Sequence, residues 1–203
     1  MIMAKKNSNN RNGPQQRSLP CSGIRAVEGQ ERTFELSFSS EEPYTRWWGV
    51  EILDHSDGAL DLTRLNEIGV LLYNHNRDDV IGKILKASVD GNRGIATVQF
   101  DSDELSETIR SKVESKTLKG VSVGYMVDSW EEVAAGKTSA DGKYTGPCSV
   151  ARKWTPFEIS IVSVPADPTV GVGRELDDAP ETTGSRFDNG LSRYQLQINL
   201  NRR

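Results

Sequence analysis

Histidine is scarce in this chain: His55 and His75 are the only two among 203 residues. No Cys/His cluster has the spacing of a zinc site and no His-Glu-x-x-His occurs, so neither a metal centre nor any other cofactor is expected. Only two cysteines are present, Cys21 and Cys148, too few for a disulfide scaffold and in keeping with a reducing compartment. No apolar run approaches the roughly 20 residues of a membrane span. The N-terminus lacks the apolar core of a signal peptide, and the expectation is a soluble, intracellular protein. There is no phosphate-cradling glycine loop of the Walker type. The formal net charge of −4 offers no global case for nucleic-acid binding. Hydrophobic content is only 35%, below the usual globular share, as expected of a compact middle diluted by polar ends.

The ends are polar in different ways. Residues 1–31 carry Lys5, Lys6, Arg11, Arg17 and Arg25 before the first acid, Glu28, among Asn, Gln, Ser and Gly. Such a stretch buries too little apolar area to offset its ordering entropy and reads as a disordered basic tail, or as a basic arm for an acidic partner. After Pro168 the chain is polar again, with acids at Glu175, Asp177, Asp178 and Glu181, so residues 173–203 read as a second tail. Between them, residues 32–172 hold the periodic segments. Phe34, Leu36 and Phe38 alternate as on a half-buried strand, and further strands are expected over 46–53, 70–73, 80–87, 94–100, 121–127 and 157–162. A short helix is expected from Asp61 to Gly69, with Leu62, Leu65 and Ile68 on one face and Asp61 as its cap. The clearest helix follows Asp101, which with Glu104 forms a capping pair ahead of Leu105, Ile109 and Val113. Residues 134–147 read as an exposed hairpin loop. About seven short strands with two helices predict a mainly β, α+β fold: an antiparallel sheet or barrel with helices packed against it.

Three residues attract chemical interest. Gly120-Val121-Ser122-Val123-Gly124 reads G-x-S-x-G, with both histidines upstream. A serine nucleophile needs a base, here His75 or His55. This order, and a helix before the strand rather than after it, excludes the α/β-hydrolase elbow. Val121 and Val123 are expected to face the core, with Ser122 and Gly124 on an uncrowded outer face; an ordinary small polar residue on that face is the plainer alternative. His75 ends an apolar strand between Asn74 and Asn76, where a general base or a simple loop histidine could sit. His55 reads as a solvated turn residue. Glu158 interrupts an apolar strand, opposite the face expected for Phe157, Ile159 and Ile161, and could orient an imidazole or merely face solvent. Asp79, Asp128 and Asp167 are the other acids open for that role. Ser160 is a weaker nucleophile candidate, and a Cys148–His75 dyad is a further arrangement to test.

Four stretches, taken together and in order, resemble the prohead (capsid maturation) serine proteases of tailed bacteriophages, a family related in fold to the herpesvirus assembly protease. They are His55–Leu65, Leu71-Leu72-Tyr73-Asn74-His75-Asn76 with Ile81-Gly82-Lys83, Leu118–Tyr125, and Phe157–Pro168. The resemblance covers roughly residues 32–172 and implies a serine endopeptidase with Ser122 as nucleophile and His75 as base. The herpesvirus enzymes use a second histidine as third member. None lies downstream here, and the acid of the Glu-Ile-Ser stretch, Glu158, is implied instead. The implied fold is a small antiparallel β-barrel of about six to seven strands with flanking helices, like that of the herpesvirus enzyme. The implied partners are the major capsid protein, a scaffold protein, or both, cleaved in the host cytoplasm inside the immature procapsid, with self-cleavage and a homo-oligomer also in prospect. Neither a membrane nor a specific nucleic acid is implied. The competing expectation is a non-enzymatic capsid-assembly β-barrel that binds capsid or scaffold surfaces.

Overall fold

The computed structural model describes residues 11, 13–20 and 24–164. All fall in the first of two compact units, Met1–Gly171. The C-terminal tail expected over 173–203, Asp167 and Cys21 lie outside the described residues.

The strands are β1 (Gln15–Pro20), β2 (Arg25–Ala26), β3 (Thr33–Ser40), β4 (Tyr44–Arg46), β5 (Gly49–Leu53), β6 (Val70–Tyr73), β7 (Asn76–Asp90), β8 (Arg93–Phe100), β9 (Gly120–Val133) and β10 (Cys148–Val162). The helices are α1 (Thr63–Ile68) and α2 (Glu104–Glu114). One ten-stranded sheet joins all the strands in the order β1-β9-β10-β6-β7-β8-β3-β2, with β5 attached to β10 and β4 to β5. The sheet curls, because β3 lies against β9 and β1 although several strands separate them in this order. It is an open half-barrel whose two ends, β1 and β2, are not joined.

The mainly β class with two helices matches the sequence reading, but three details are corrected. Among the described residues ten strands are present rather than six or seven. The sheet is mixed, because β10 runs parallel to both β5 and β6. And β1 lies inside the stretch expected to be a disordered tail, where it pairs antiparallel with β9 from Gln15↔Tyr125 to Pro20↔Gly120. Its residues have no apolar alternation; backbone pairing to an existing edge holds them instead.

The alternating segments build the core as their period requires. Phe34, Leu36 and Phe38 of β3 and Ala96, Val98 and Phe100 of β8 are buried in one cluster with Leu53, Leu71, Ile81, Tyr125, Trp154 and Ile159. The β7–β8 hairpin turns through Gly91 and Asn92, and Gly91 takes the positive φ of 57° that such a turn demands. In α2 the cap is Asp103 rather than Asp101: its carboxylate accepts from the Ser106 backbone N–H at 3.1 Å. In α1 the N-cap position is Leu62, with no side-chain cap, rather than Asp61, whose carboxylate accepts from Thr63 N–H at 2.9 Å; only Leu65 is fully buried while Ile68 is 67% exposed. Six residues make fewer than two turns, so a single residue of α1, Leu65, faces inward, and Ile68 ends the helix exposed. The 134–147 connection joins β9 to β10, whose register begins at Cys148↔Val133, as a hairpin loop should.

Candidate active site

Ser122 is the third residue of β9 and lies between its register partners Ser18 of β1 and Ser160 of β10. The outer face it occupies is filled rather than open, and Ser122 is 0% exposed. A Cβ on Gly124 would overlap Glu158 Oε1 and come within 2.7 Å of the Phe157 ring. Gly124 is therefore the residue that lets a carboxylate approach this face.

Glu158 gets there through a β-bulge. The β9–β10 register shifts between Pro156↔Tyr125 and Glu158↔Gly124, leaving Phe157 as the extra residue. A bulge re-aims the side chains on either side of it. Here Ile159 and Ile161 keep to the core while Glu158 and Ser160 share the face of Ser122. Phe157 packs beside Gly124 on that outer face, which corrects the simple alternation of 157, 159 and 161.

His75 arrives from a different element. The β6–β7 hairpin closes with a two-residue turn, Asn74-His75, between the paired Tyr73 and Asn76. Both turn residues have positive φ, 52° and 60°, as in a type I′ turn. The turn is tied to β10 at several points. Asn74 N–H donates to the Ile161 carbonyl at 2.9 Å, Asn74 Oδ1 accepts from Ser163 N–H at 2.9 Å, and His75 N–H donates to Ser160 Oγ at 3.2 Å. A left-handed conformation at a non-glycine persists only where surrounding contacts over-determine it, and these contacts do so.

The three side chains form one hydrogen-bonded line. His75 Nδ1 is 2.6 Å from Glu158 Oε1, and His75 Nε2 is 2.7 Å from Ser122 Oγ. The carboxylate can only accept, so Nδ1 carries the proton and Nε2 presents its lone pair to the Ser122 hydroxyl. Ser160 Oγ donates to the second oxygen, Glu158 Oε2, at 2.7 Å. Ser122 Oγ is also 3.1 Å from the Arg17 backbone carbonyl of β1. A hydroxyl, an imidazole and a carboxylate in this line can perform nucleophilic acyl transfer: the imidazole removes the hydroxyl proton and the carboxylate stabilises the resulting imidazolium.

The other candidates are placed elsewhere. His55 is not a solvated turn residue but is buried, 4% exposed, edge-on to Trp154. Its Nδ1–H donates to the Leu53 carbonyl at 2.9 Å and its Nε2 meets Ser39 Oγ at 2.7 Å. Burial pushes its pKa below the ordinary histidine value. Asp79 accepts from Asn76 Nδ2, and Asp128 faces Thr155 Oγ1 at 3.5 Å. Cys148 sits at the far end of β10 in a small apolar cluster with Ile52, Val133 and Val150, where burial raises its thiol pKa; no dyad with His75 forms. Among the described residues no group of three or more His, Cys, Asp or Glu side chains could hold a metal ion.

Ser160, a weaker nucleophile candidate in the sequence, instead braces both Glu158 and His75; its place two residues from Glu158 on one strand face is the signal that could have found this. The bracing by Asn74 and the approach of Arg17 had no signal in the sequence, since both depend on strand pairing over long separations.

Comparison with known proteins agrees with the motif pattern. A "Major capsid protein" of Halomonas phage phiHAP-1 is 38% identical over 160 residues, a match that takes in 75% of this chain and 25% of that protein. The chain thus spans about a quarter of the length of the curated relative it matches. No solved structure matches, and the fold relation to the herpesvirus enzyme rests on the motif resemblance alone. The family model for the caudovirus prohead serine protease matches residues 48–181, which include Ser122, His75 and Glu158, and the chain belongs to that family.

Proposed function

We propose that this protein is a serine endopeptidase of phage capsid maturation in which Ser122 is the nucleophile, His75 the general base and Glu158 the acid that orients it. The observation that carries the reading is the unbroken line Glu158–His75–Ser122, at 2.6 and 2.7 Å, drawn from three separate strands or turns. Nε2 of His75 takes the Ser122 proton as Oγ attacks a peptide carbonyl. The imidazolium returns the proton to the leaving amine, and water then releases the acyl group. The substrates are segments of capsid-shell proteins, the major capsid protein or a scaffold, together with the enzyme's own chain, cut inside the immature procapsid. That the relative is named a major capsid protein supports a capsid protein as partner.

The test uses a fluorophosphonate probe and intact mass. The wild-type chain is expected to take one probe on Ser122 and to cut capsid-protein segments. Ser122→Ala should take none and cut nothing, and His75→Ala should lose on the order of 10⁴-fold in turnover because members of such a triad act as a unit. Normal cleavage by Ser122→Ala would end the assignment. The second reading, a capsid-assembly protein without catalysis, is favoured by the relative's name and by the complete burial of Ser122. It predicts capsid-protein binding that is indifferent to Ser122→Ala, with no cleavage by either form.

A further inference from the structure

The residue in the way of the proposed chemistry belongs to the chain itself. With β1 in place Ser122 has no exposure, so no other polypeptide can reach its hydroxyl. β1 ends the sheet and pairs with β9 alone, along Gly120–Tyr125, the whole length of the G-x-S-x-G stretch. It is also the strand whose backbone carbonyl, at Arg17, lies 3.1 Å from Ser122 Oγ. Gln16 and Ser18 of β1 form one wall of the cleft that holds Asn74, His75 and Ser122. An extended chain paired antiparallel beside the hydroxyl, offering it a peptide carbonyl, is how a protein segment adds to an open sheet edge.

β1 is held there at an electrostatic cost. The Arg17 guanidinium is 1% exposed and enters a pocket with Glu51, Arg46, Tyr44 and Tyr125. Glu51 Oε1 is already shared by Tyr125 O–H at 2.5 Å and Arg46 at 3.2 Å, and it lies 4.0 Å from Arg17. Two guanidiniums therefore face one buried carboxylate. Arg17 donates to the Glu42 carbonyl and stacks over the Tyr44 ring, but its Nε and Nη1 have no hydrogen-bond partner, nor does Glu51 Oε2. A buried charge left partly unsatisfied weakens the element that carries it. Without Arg17, the Arg46–Glu51–Tyr125 group remains paired.

We propose that the edge of β9 beside Ser122 is the substrate-binding edge, that β1 is its resident occupant, and that an extended segment of a substrate protein takes the place of β1 in the same antiparallel register. The inference rests on the serine endopeptidase reading above for the need to reach Ser122. While β1 is docked the enzyme is closed; its release opens a strand-accepting edge with a pocket at the Arg17 position.

The experiment uses the full chain carrying Ser122→Ala, so that nothing is cut, with and without Arg17→Glu, which sets two carboxylates against each other and expels β1. The probe is a fluorescein-labelled peptide of residues 13–20, Gly-Pro-Gln-Gln-Arg-Ser-Leu-Pro. The Arg17→Glu form is expected to bind it saturably and about tenfold or more tightly than the parent, whose edge is mostly occupied. Equal binding, or no binding to a folded Arg17→Glu form, would overturn the proposal. Hydrogen exchange on the wild-type chain decides the matter if that variant does not fold. Amides of Gln15–Leu19 should exchange on the order of 100-fold faster than those of Glu158–Val162, and equal protection would overturn it. Peptide binding by the Ser122→Ala, Arg17→Glu form, with no fluorophosphonate labelling of an Arg17→Glu chain that keeps Ser122, would defeat the catalytic reading and leave the strand-accepting edge standing. Labelling without peptide binding would do the reverse.

Discussion

At the scale of single residues, the site is decided by what is small and what is missing. Gly124 has no side chain, and Glu158 Oε1 occupies the space that a Cβ would need. The second glycine of the motif is thus a steric condition for the acid to reach His75 Nδ1. Gly124→Ala is expected to cost about 1–3 kcal/mol of stability through overpacking. It should also lower turnover by about 100-fold or more at temperatures where the variant is fully folded, because the imidazole loses its orienting carboxylate. Parallel melting curves and peptide-cleavage rates check this; a variant with native turnover would show that Glu158 is not needed where it stands. Ser160, between Glu158 Oε2 and the His75 backbone N–H, is a positioning residue in the same sense.

At the scale of elements, local devices start and stop the pieces while the bulge and the turn aim them. α2 begins at Asp103, whose side chain satisfies the Ser106 N–H. Removing a helix cap of this kind costs about 1 kcal/mol. Asp103→Ala is therefore expected to lower the melting temperature by roughly 2–4 °C while leaving turnover unchanged, since α2 packs on β7 and β8 rather than at the site. Calorimetry beside a cleavage assay reads both. α1 stops at Gly69, where an added Cβ would overlap the Leu65 backbone carbonyl oxygen and lie 2.8 Å from Ile84 Cδ1. Gly69 is extended, with φ −67°, so close packing rather than left-handed backbone requires glycine there. The expectation that Gly69 ends α1 holds, for this different physical reason.

At the scale of the whole molecule, the curled sheet encloses buried polar groups whose protonation is tied to folding. His55 is the clearest. Burial lowers its pKa and Arg17 pushes the same way, while the Leu53 carbonyl, Glu41 and Asp54 push upward without prevailing. Its value in the unfolded chain is about 6.5. The unfolded state therefore binds the extra proton first as pH falls. The stability that neutral His55 contributes is complete above about pH 6.5 and is lost progressively as pH falls from there through the lower folded value. The melting temperature is expected to drop between pH 7 and pH 5, and to drop less in His55→Gln, which keeps a donor and an acceptor without the titration. Identical pH profiles for the two proteins would refute the role of His55. Asp54 acts only at lower pH: burial raises its carboxyl, but hydrogen bonds from Ser56 and Arg152 outweigh that and hold it below the usual range.

The sequence by itself determined the pieces whose signal is local. Alternation marked β3 and β8, a short apolar run marked β6, 3.6-residue spacing marked α2, and one G-x-S-x-G stretch behind two histidines singled out Ser122 with His75 or His55 as its base, the family resemblance implying His75. Only the tertiary structure decided what depends on partners far along the chain. Ser122 meets His75 across 47 residues and Arg17 across 105, and His75 meets Glu158 across 83. The bulge at Phe157, the burial of His55 against Trp154 and the capture of β1 by β9 belong to the same class. Each is a choice between neighbours made by non-local backbone pairing and packing, which a period of two or of 3.6 residues does not encode.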